Sequence, residues 1–317
     1  MKVIFGSGIV GLLARKILGP TWKIIPFYRS RFFSFNPALD DNFIIHDKQL
    51  EPFITDLYGK SLPLFVYKRG WSVGGHIVPE YDKNLCQDWL AKMFGPDIPP
   101  QSEIYHANRM NLFVYDLRVN GLYQALVNEY LEELKAESAK GEVTFIGPHH
   151  FIRNGQREDF DNAVSTIPLD ALCRLMNITV NLPSKTIHYL HVETESLNFE
   201  GFNQLLVADN IFSFFKATNV AKNRYLIYCH EEIPNPGIYF MGFLPKFDII
   251  DGTSLEHALP MGPIPKLNNL ETAGIYCVGS YAQHDWCMDV GSCALRLLKY
   301  AGRDYKPQQL TSFKPRG

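Results

Sequence analysis

The sequence predicts an α/β fold in which a parallel sheet wrapped by helices is interleaved with a smaller domain built on an antiparallel sheet. Three observations carry that expectation. Lys2–Phe5 is a short apolar strand that opens into a glycine turn, a helix to about Leu18 and a second strand, Trp22–Phe27. Asp161–Thr166 and Gly274–Gly279 are short, mostly apolar runs of the kind buried inside parallel sheets. Lys185–Ser196, Gln204–Asp209, Phe212–Ala217 and Arg224–His230 alternate in a strand-like way and suggest a second, antiparallel sheet.

The turn after the first strand reads Gly6-Ser7-Gly8-Ile9-Val10-Gly11. A glycine triplet between strand and helix is the context of a Rossmann-like dinucleotide fingerprint. The first Gly allows the tight turn, the second lets backbone approach a pyrophosphate, and the third lets helix pack on strand. Helix N–H groups and the helix dipole then face the anion. Close packing of helix on strand is the other use of such glycines. About 20 residues beyond the last Gly, an acid normally binds the ribose. Tyr28-Arg29-Ser30-Arg31 stands there without one. Arg29, Ser30 and Arg31 become candidates to face a phosphate instead, since a guanidinium meets phosphate oxygens bidentately.

Between these landmarks, residues 28–110 read as loops and short helices, punctuated by Pro37, Pro63, Gly70, Gly74, Gly75, Pro96, Pro99 and Pro100. Gly121–Ala139 is a helix with Leu122, Ala125, Leu126, Tyr130 and Leu134 at helical spacing. Val143–Ile146 and Phe151–Arg153 are short strands with a turn signal at Asn154-Gly155. A helix Leu169–Met176 follows Pro168, residues 251–266 form a proline-rich return, and Val290–Tyr300 is a closing helix. With no linker visible, the expected division is interleaved. Residues 1–60, 143–180 and 265–317 form the Rossmann-like domain, and residues 61–142 and 181–264 a substrate domain.

Composition narrows the function classes. Lys plus Arg number 31 and Asp plus Glu 33, a net charge of −2, which supplies no global drive toward nucleic acid or anionic membranes. No run reaches the roughly 18–20 apolar residues of a membrane span. Val3–Ala14 imitates a signal peptide, but Arg15-Lys16 follows it with no small-residue cleavage site, so it reads as buried strand, turn and helix. Six scattered cysteines without CxxC spacing fit reduced, buried thiols and a cytoplasmic protein, with no metal site. P-loop, nucleophile-elbow and HExxH signatures are absent.

Three separated segments together resemble the flavoprotein superfamily of amine oxidases, protoporphyrinogen oxidases and UDP-galactopyranose mutases. They are Gly6–Gly11; Phe160-Asp161-Asn162-Ala163-Val164-Ser165-Thr166-Ile167-Pro168, similar to the family's D-x-V-I-S-T-x-P strand and turn; and Gly274–Ser280 followed by Met288-Asp289-Val290. The Met-Asp pair and the short chain are most similar to the mutases. The resemblance implies FAD as cofactor, with its pyrophosphate at Gly6, Gly8, Ile9, Val10 and Gly11. Its further contacts would include Phe151, Thr166, Gly279, Ser280, Met288, Asp289 and Val290. Ser280 stands where the family usually has Asp, Glu or Arg, and the mutases' sugar-nucleotide arginine has no visible counterpart there.

A helix starting at Met288–Val290 would turn its positive end toward a reduced flavin's negative ring; Asp289 reads equally as that helix's N-cap. His284-Asp285-Trp286-Cys287 lies beside this element. His284 is the candidate proton donor or acceptor and Trp286 the candidate pocket wall. Cys287 and Cys293 lack a paired base. Arg109, Arg118 and Lys216 are candidate anchors for an acidic substrate group. The leading expectation is an FAD-dependent oxidoreductase taking hydride from a small-molecule substrate, an amine among the candidates. A non-redox, mutase-like reaction on a sugar nucleotide is one alternative. A non-catalytic nucleotide-binding protein with a degenerate site is the other. All three are compatible with a homo-oligomer.

Overall fold

The fold is known from a computed structural model, which describes residues 1–27, 47–74, 76–96, 98–99, 110–116, 121–195, 199, 201–209, 214–229, 248–263, 270, 272–285 and 289–303. In chain order the strands are β1 (Lys2–Phe5), β2 (Trp22–Ile25), β3 (Leu64–Val73), β4 (His76–Val78), β5 (Asn111–Tyr115), β6 (Val143–Gly147), β7 (His150–Arg153) and β8 (Gln156–Asp159). They continue with β9 (Asn162–Ser165), β10 (Ser184–Glu193), β11 (Gln204–Val207), β12 (Phe214–Ala221), β13 (Arg224–Cys229), β14 (Asp248–Pro260) and β15 (Ile275–Cys277). The helices are α1 (Ile9–Leu18), α2 (Glu51–Tyr58), α3 (Lys83–Phe94), α4 (Leu122–Ser138), α5 (Leu169–Leu175), α6 (Ser280–Gln283) and α7 (Val290–Tyr300).

Four strands form an all-parallel sheet in the order β15-β9-β1-β2. Helix α1 carries the chain from β1 to β2 on one side, and β9 returns on the other side of β1. The strand order therefore reverses at β1/β9, and the crevice at the carboxyl ends of those strands is where open α/β sheets take ligands. Val3, Phe5 and Ala163 face one side of the sheet, while Ile4 and Val164 face the other, so the strands are buried on both faces. Helices α1, α4 and α7 cover one face through Leu12, Leu13, Ile17, Leu126, Ala294 and Leu297. Burial of each such leucine contributes about 1.5–3 kcal/mol. The hairpins β6-β7-β8 and α5 cover the other face. Asn154 and Gly155, both with positive φ, make the β7–β8 turn that their sequence signals.

An ion cluster ties the hairpins to the helices. Arg153 of β7 lies 3.0 Å from Glu137 of α4 and bonds Glu158 of β8, while Lys23 of β2 and Lys140 also reach Glu137. Burial pushes the Glu137 carboxyl up, but hydrogen bonds from Lys140, Arg153 and Lys23 outweigh it and hold it below its ordinary range.

The second sheet runs β14-β10-β13-β12-β11-β3-β4, with β5 on the first half of β3. It corrects three expectations. Residues 28–110 do not read as a sheet, yet they supply β3, a ten-residue strand, together with β4. The pattern is hidden because β3 changes neighbours midway, from β5 to β11 and β4, and because Gly70 sits in its interior. A Cβ at Gly70 would stand 2.7 Å from Ile77 Cγ2, so close packing requires glycine there. The proline-rich return expected over 251–266 is instead largely β14, which ends at Pro260. Among the described residues β14 is an edge strand, and a terminal Pro removes no ladder bond that an edge needs. The sheet is also not purely antiparallel, since β11 runs parallel to β3. Helix α3 packs on one face of this sheet, where Trp71 and Trp89 meet edge to face at 6.2 Å and Trp89 Nε1 donates to the Phe215 carbonyl.

Candidate functional site

Parallel strands deliver their carboxyl ends to one edge. Phe5, Ser165 and Cys277 are in register there, so Gly6, Thr166 and Val278 leave the sheet side by side. Thr166 N–H donates to the Phe5 carbonyl at 2.8 Å, and its hydroxyl donates to the same oxygen at 3.2 Å. Val278 N–H donates to the Ser165 carbonyl at 3.0 Å.

The three motif glycines do different physical work. Gly6 has φ 109°, and a Cβ there would lie 2.5 Å from Thr166 Oγ1. A Cβ at Gly11 would lie 2.2 Å from the Gly6 carbonyl oxygen. Both are required by the protein's own packing. Gly8 differs: its φ of −66° suits any residue, and among the described residues a Cβ there would meet nothing within 4 Å. Gly8 is the N-cap of α1, among the described residues no side chain caps that helix, and its first turn holds no acid. Among the described residues, nothing fills the space that a side chain at Gly8 would take beside the first N–H groups and the positive end of α1.

The far end of the chain reaches the same place. Gly279, with φ 123°, follows β15, and a Cβ there would stand 3.8 Å from Val10 Cγ1. Ser280 begins α6. Asp289 caps α7, its carboxylate accepting from Ser292 N–H at 2.6 Å, and Val290 opens that helix. Gly6, Gly8, Ile9, Val10, Gly11, Thr166, Gly279 and Ser280 are thus gathered at one sheet edge. Phe151 sits elsewhere: its ring is fully buried and meets Phe5 edge to face at 5.5 Å, while its backbone is paired on both sides within the hairpins. Arg29, Ser30, Arg31, Trp286 and Met288, like Arg109, Arg118 and Cys287, lie outside the described residues.

His284 is 5% exposed, with φ 53°. Its Nε2 donates to the Met261 carbonyl at 2.7 Å, since a carbonyl can only accept. It borders a small cavity with Pro168, Asp170, Ser184, Pro260 and Tyr281, where α5 and α6 meet the ends of β10 and β14. Sequence reasoning missed Tyr281 and Met261. Tyr281 directly follows the strand-exit residues, which was a usable signal, whereas the Met261 contact is made by backbone and leaves no mark in residue type. Burial pushes the Cys277 and Cys293 thiols up to about 12, so neither is a ready nucleophile near neutral pH. Lys216 Nζ lies 3.8 Å from the centre of the Tyr228 ring. Lys92 of α3, also missed, donates to the Asp209 carbonyl, and burial brings it down to about 8. Among the described residues no group of three or more His, Cys, Asp or Glu is arranged to hold a metal ion, and no helix is long and apolar enough to cross a membrane.

No family model matches the chain, and no curated protein matches its sequence. Solved structures match it over nearly its whole length. Reduced UDP-galactopyranose mutase superimposes with a TM-score of 0.60 at 13% identity, over 95% of this chain and 92% of that one. Cyclohexylamine oxidase from Brevibacterium oxydans IH-35A gives 0.57 at 11% identity, over 95% and 99%. An oxidoreductase from Methanosarcina mazei gives 0.53 at 12% identity, over 96% and 100%. The chain therefore has the fold that its three motif segments resemble, the one found in UDP-galactopyranose mutase and cyclohexylamine oxidase.

Proposed function

We propose that this chain is an FAD-dependent oxidoreductase acting on a small molecule, with a small amine as the substrate class. The observation that carries the reading is the start of α1. An uncapped helix N-terminus, with a glycine whose missing side chain leaves a cradle, stands at the point where strand order reverses. A pyrophosphate is the group such a cradle fits, and the fold shared with cyclohexylamine oxidase and UDP-galactopyranose mutase supports FAD as its bearer.

Gly8, Ile9 and Val10 would hold the pyrophosphate through backbone N–H groups, while Gly6 and Gly11 keep the turn tight enough to present them. Thr166, Gly279 and Ser280 would border the same cofactor. Arg29, Ser30 and Arg31 are proposed for its adenosine end, and Met288, Asp289 and Val290 for its ring end. Bound FAD supplies a hydride acceptor. The protein's part is to position the substrate, exclude water and manage protons. With Nε2 committed to Met261, His284 has Nδ1 left for a proton, and Trp286 is proposed as a wall of the substrate pocket. Residues 1–60, 143–180 and 265–317 form the cofactor domain in this reading, and 61–142 with 181–264 the substrate domain. The separate strand sets of the two large sheets support that division.

The test is the visible spectrum of the purified chain, with mass identification of any released cofactor. A flavin band and released FAD are expected. Absence of the band after incubation with FAD would leave the non-catalytic alternative. Turnover of a sugar nucleotide by dithionite-reduced protein, with no net electron transfer, would replace oxidation by the mutase-like reaction.

A further inference from the structure

The second sheet carries an ionisable group that the proposed chemistry does not use. His191 of β10 is 8% exposed, and among the described residues neither ring nitrogen has a hydrogen-bond partner. It stands opposite Leu226 of β13 and Asp251 of β14. Asp251 Oδ2 lies 3.8 Å from Nδ1, too long for a hydrogen bond. The Asp251 side chain is 42% exposed, so it keeps contact with water while the imidazole does not.

The local ladder is short. Ile187–His191 pair regularly with Leu255–Asp251, and irregularities bound both ends of that stretch. At one end Val192 pairs with Ile249, which leaves Ile250 as a bulge. The His191–Asp251 pair is thus the last regular rung before the bulge. Among the described residues β14 is held to the sheet by β10 alone.

We propose that His191 is a proton-operated latch on β14: protonation loosens residues 248–254 from β10 while the rest of the sheet stays folded. A neutral imidazole has one donor and one acceptor, and leaving both buried without partners is already costly. Protonation makes both nitrogens donors. Nδ1 gains attraction to Asp251, but Nε2 stays in dry surroundings, and a charge there is expensive. The charged groups acting on the ring are Asp251 on β14, Glu193 on β10 and Arg224 on β13. Arg224 lies 3.3 Å from Glu193, so the two largely offset each other.

Burial lowers the affinity of His191 for a proton, and Asp251 restores only part of it. A group whose folded pKa is depressed in this way binds its proton more tightly once exposed. The closed latch is fully stable above the exposed histidine's value of about 6.5 and weakens as pH falls through it. No comparable penalty attaches to β12 and β13, whose paired interior strands lack such a group.

Hydrogen–deuterium exchange of the full chain at pH 7.5 and 5.5, corrected for intrinsic rates, tests this. Protection of residues 248–254 should fall about tenfold at pH 5.5, while 214–229 changes little. In His191→Leu that pH difference should vanish. Equal protection at both pH values, or an unchanged acid loss in His191→Leu, overturns the latch. Asp251→Asn decides the matter if His191→Leu does not fold. Without its strongest stabilising charge the latch should open at higher pH than in the parent, and an unchanged or lower opening pH overturns it.

Discussion

Helices α1 and α7 both begin near the same edge of the parallel sheet and pack into the same core, through Leu12, Leu13 and Ala14 on one and Ala294 and Leu297 on the other. Their first residues differ. Helix α7 starts at Asp289, whose carboxylate takes the Ser292 N–H. Helix α1 starts at Gly8, which has no side chain to take anything. Every helix leaves N-terminal N–H groups to be satisfied. One of these helices satisfies part of that demand from its own N-cap side chain, and the other has no N-cap side chain to do so. The difference teaches that the fingerprint's central glycine is informative for what it leaves open, and the flanking glycines for what they let close.

Four substitutions would break or sharpen this contrast. The largest effect is expected of Gly11→Val. Its Cβ would strike the Gly6 carbonyl, so a loss of about 3 kcal/mol or outright misfolding should appear in chemical denaturation. At Gly8 an added Cβ meets no described atom within 4 Å, so Gly8→Val should fold with a cost under about 1 kcal/mol from the poorer cap. FAD retention should nevertheless drop about a hundredfold, roughly 2.7 kcal/mol, by cofactor titration. Unchanged retention in a folded Gly8→Val protein would remove the ligand role from the α1 start. Asp289→Ala should cost about 1 kcal/mol in stability, read from denaturation midpoints. The smallest effect is that of Gly8→Asp, which supplies α1 with the device α7 already has. It should stabilise the cofactor-free protein by a few tenths of a kcal/mol while opposing an anion at that start. A loss of stability there would mean that the open helix start is not an unmet demand.

The parallel sheet was legible in the sequence because each of its strands is local and continuous. Lys2–Phe5, Asn162–Ser165 and Ile275–Cys277 each fall within an expected strand, and α7 matches its expected span of Val290–Tyr300. The second sheet was legible only in part. Its strands β10 to β13 overlap segments expected as strands, whereas β3 divides its length between partners and β14 is broken by bulges, so neither shows a steady period of two. The candidate site was legible in its glycines and in Thr166, Gly279 and Asp289, because turns, exits and caps demand particular residue types. The anchoring of His284 was not, since the Met261 carbonyl that holds it belongs to backbone, which every residue possesses. The depressed proton affinity of Lys92 was invisible for a related reason. It arises from burial under a tertiary contact, and a lysine in a helix carries no sign of it.

The edge-to-face pair of Trp71 and Trp89 gives half of the molecule an optical label of its own. Both indoles are enclosed between α3 and the second sheet, while Trp22 packs beside Tyr300 against the parallel sheet. Fluorescence from the pair should therefore redden when α3 lifts from its sheet, and excitonic bands in near-ultraviolet circular dichroism should fade with it. Replacing Trp22 and Trp286 by Phe would leave that pair as the sole indole signal, so loosening of α3 from its sheet could be followed in an unlabelled sample.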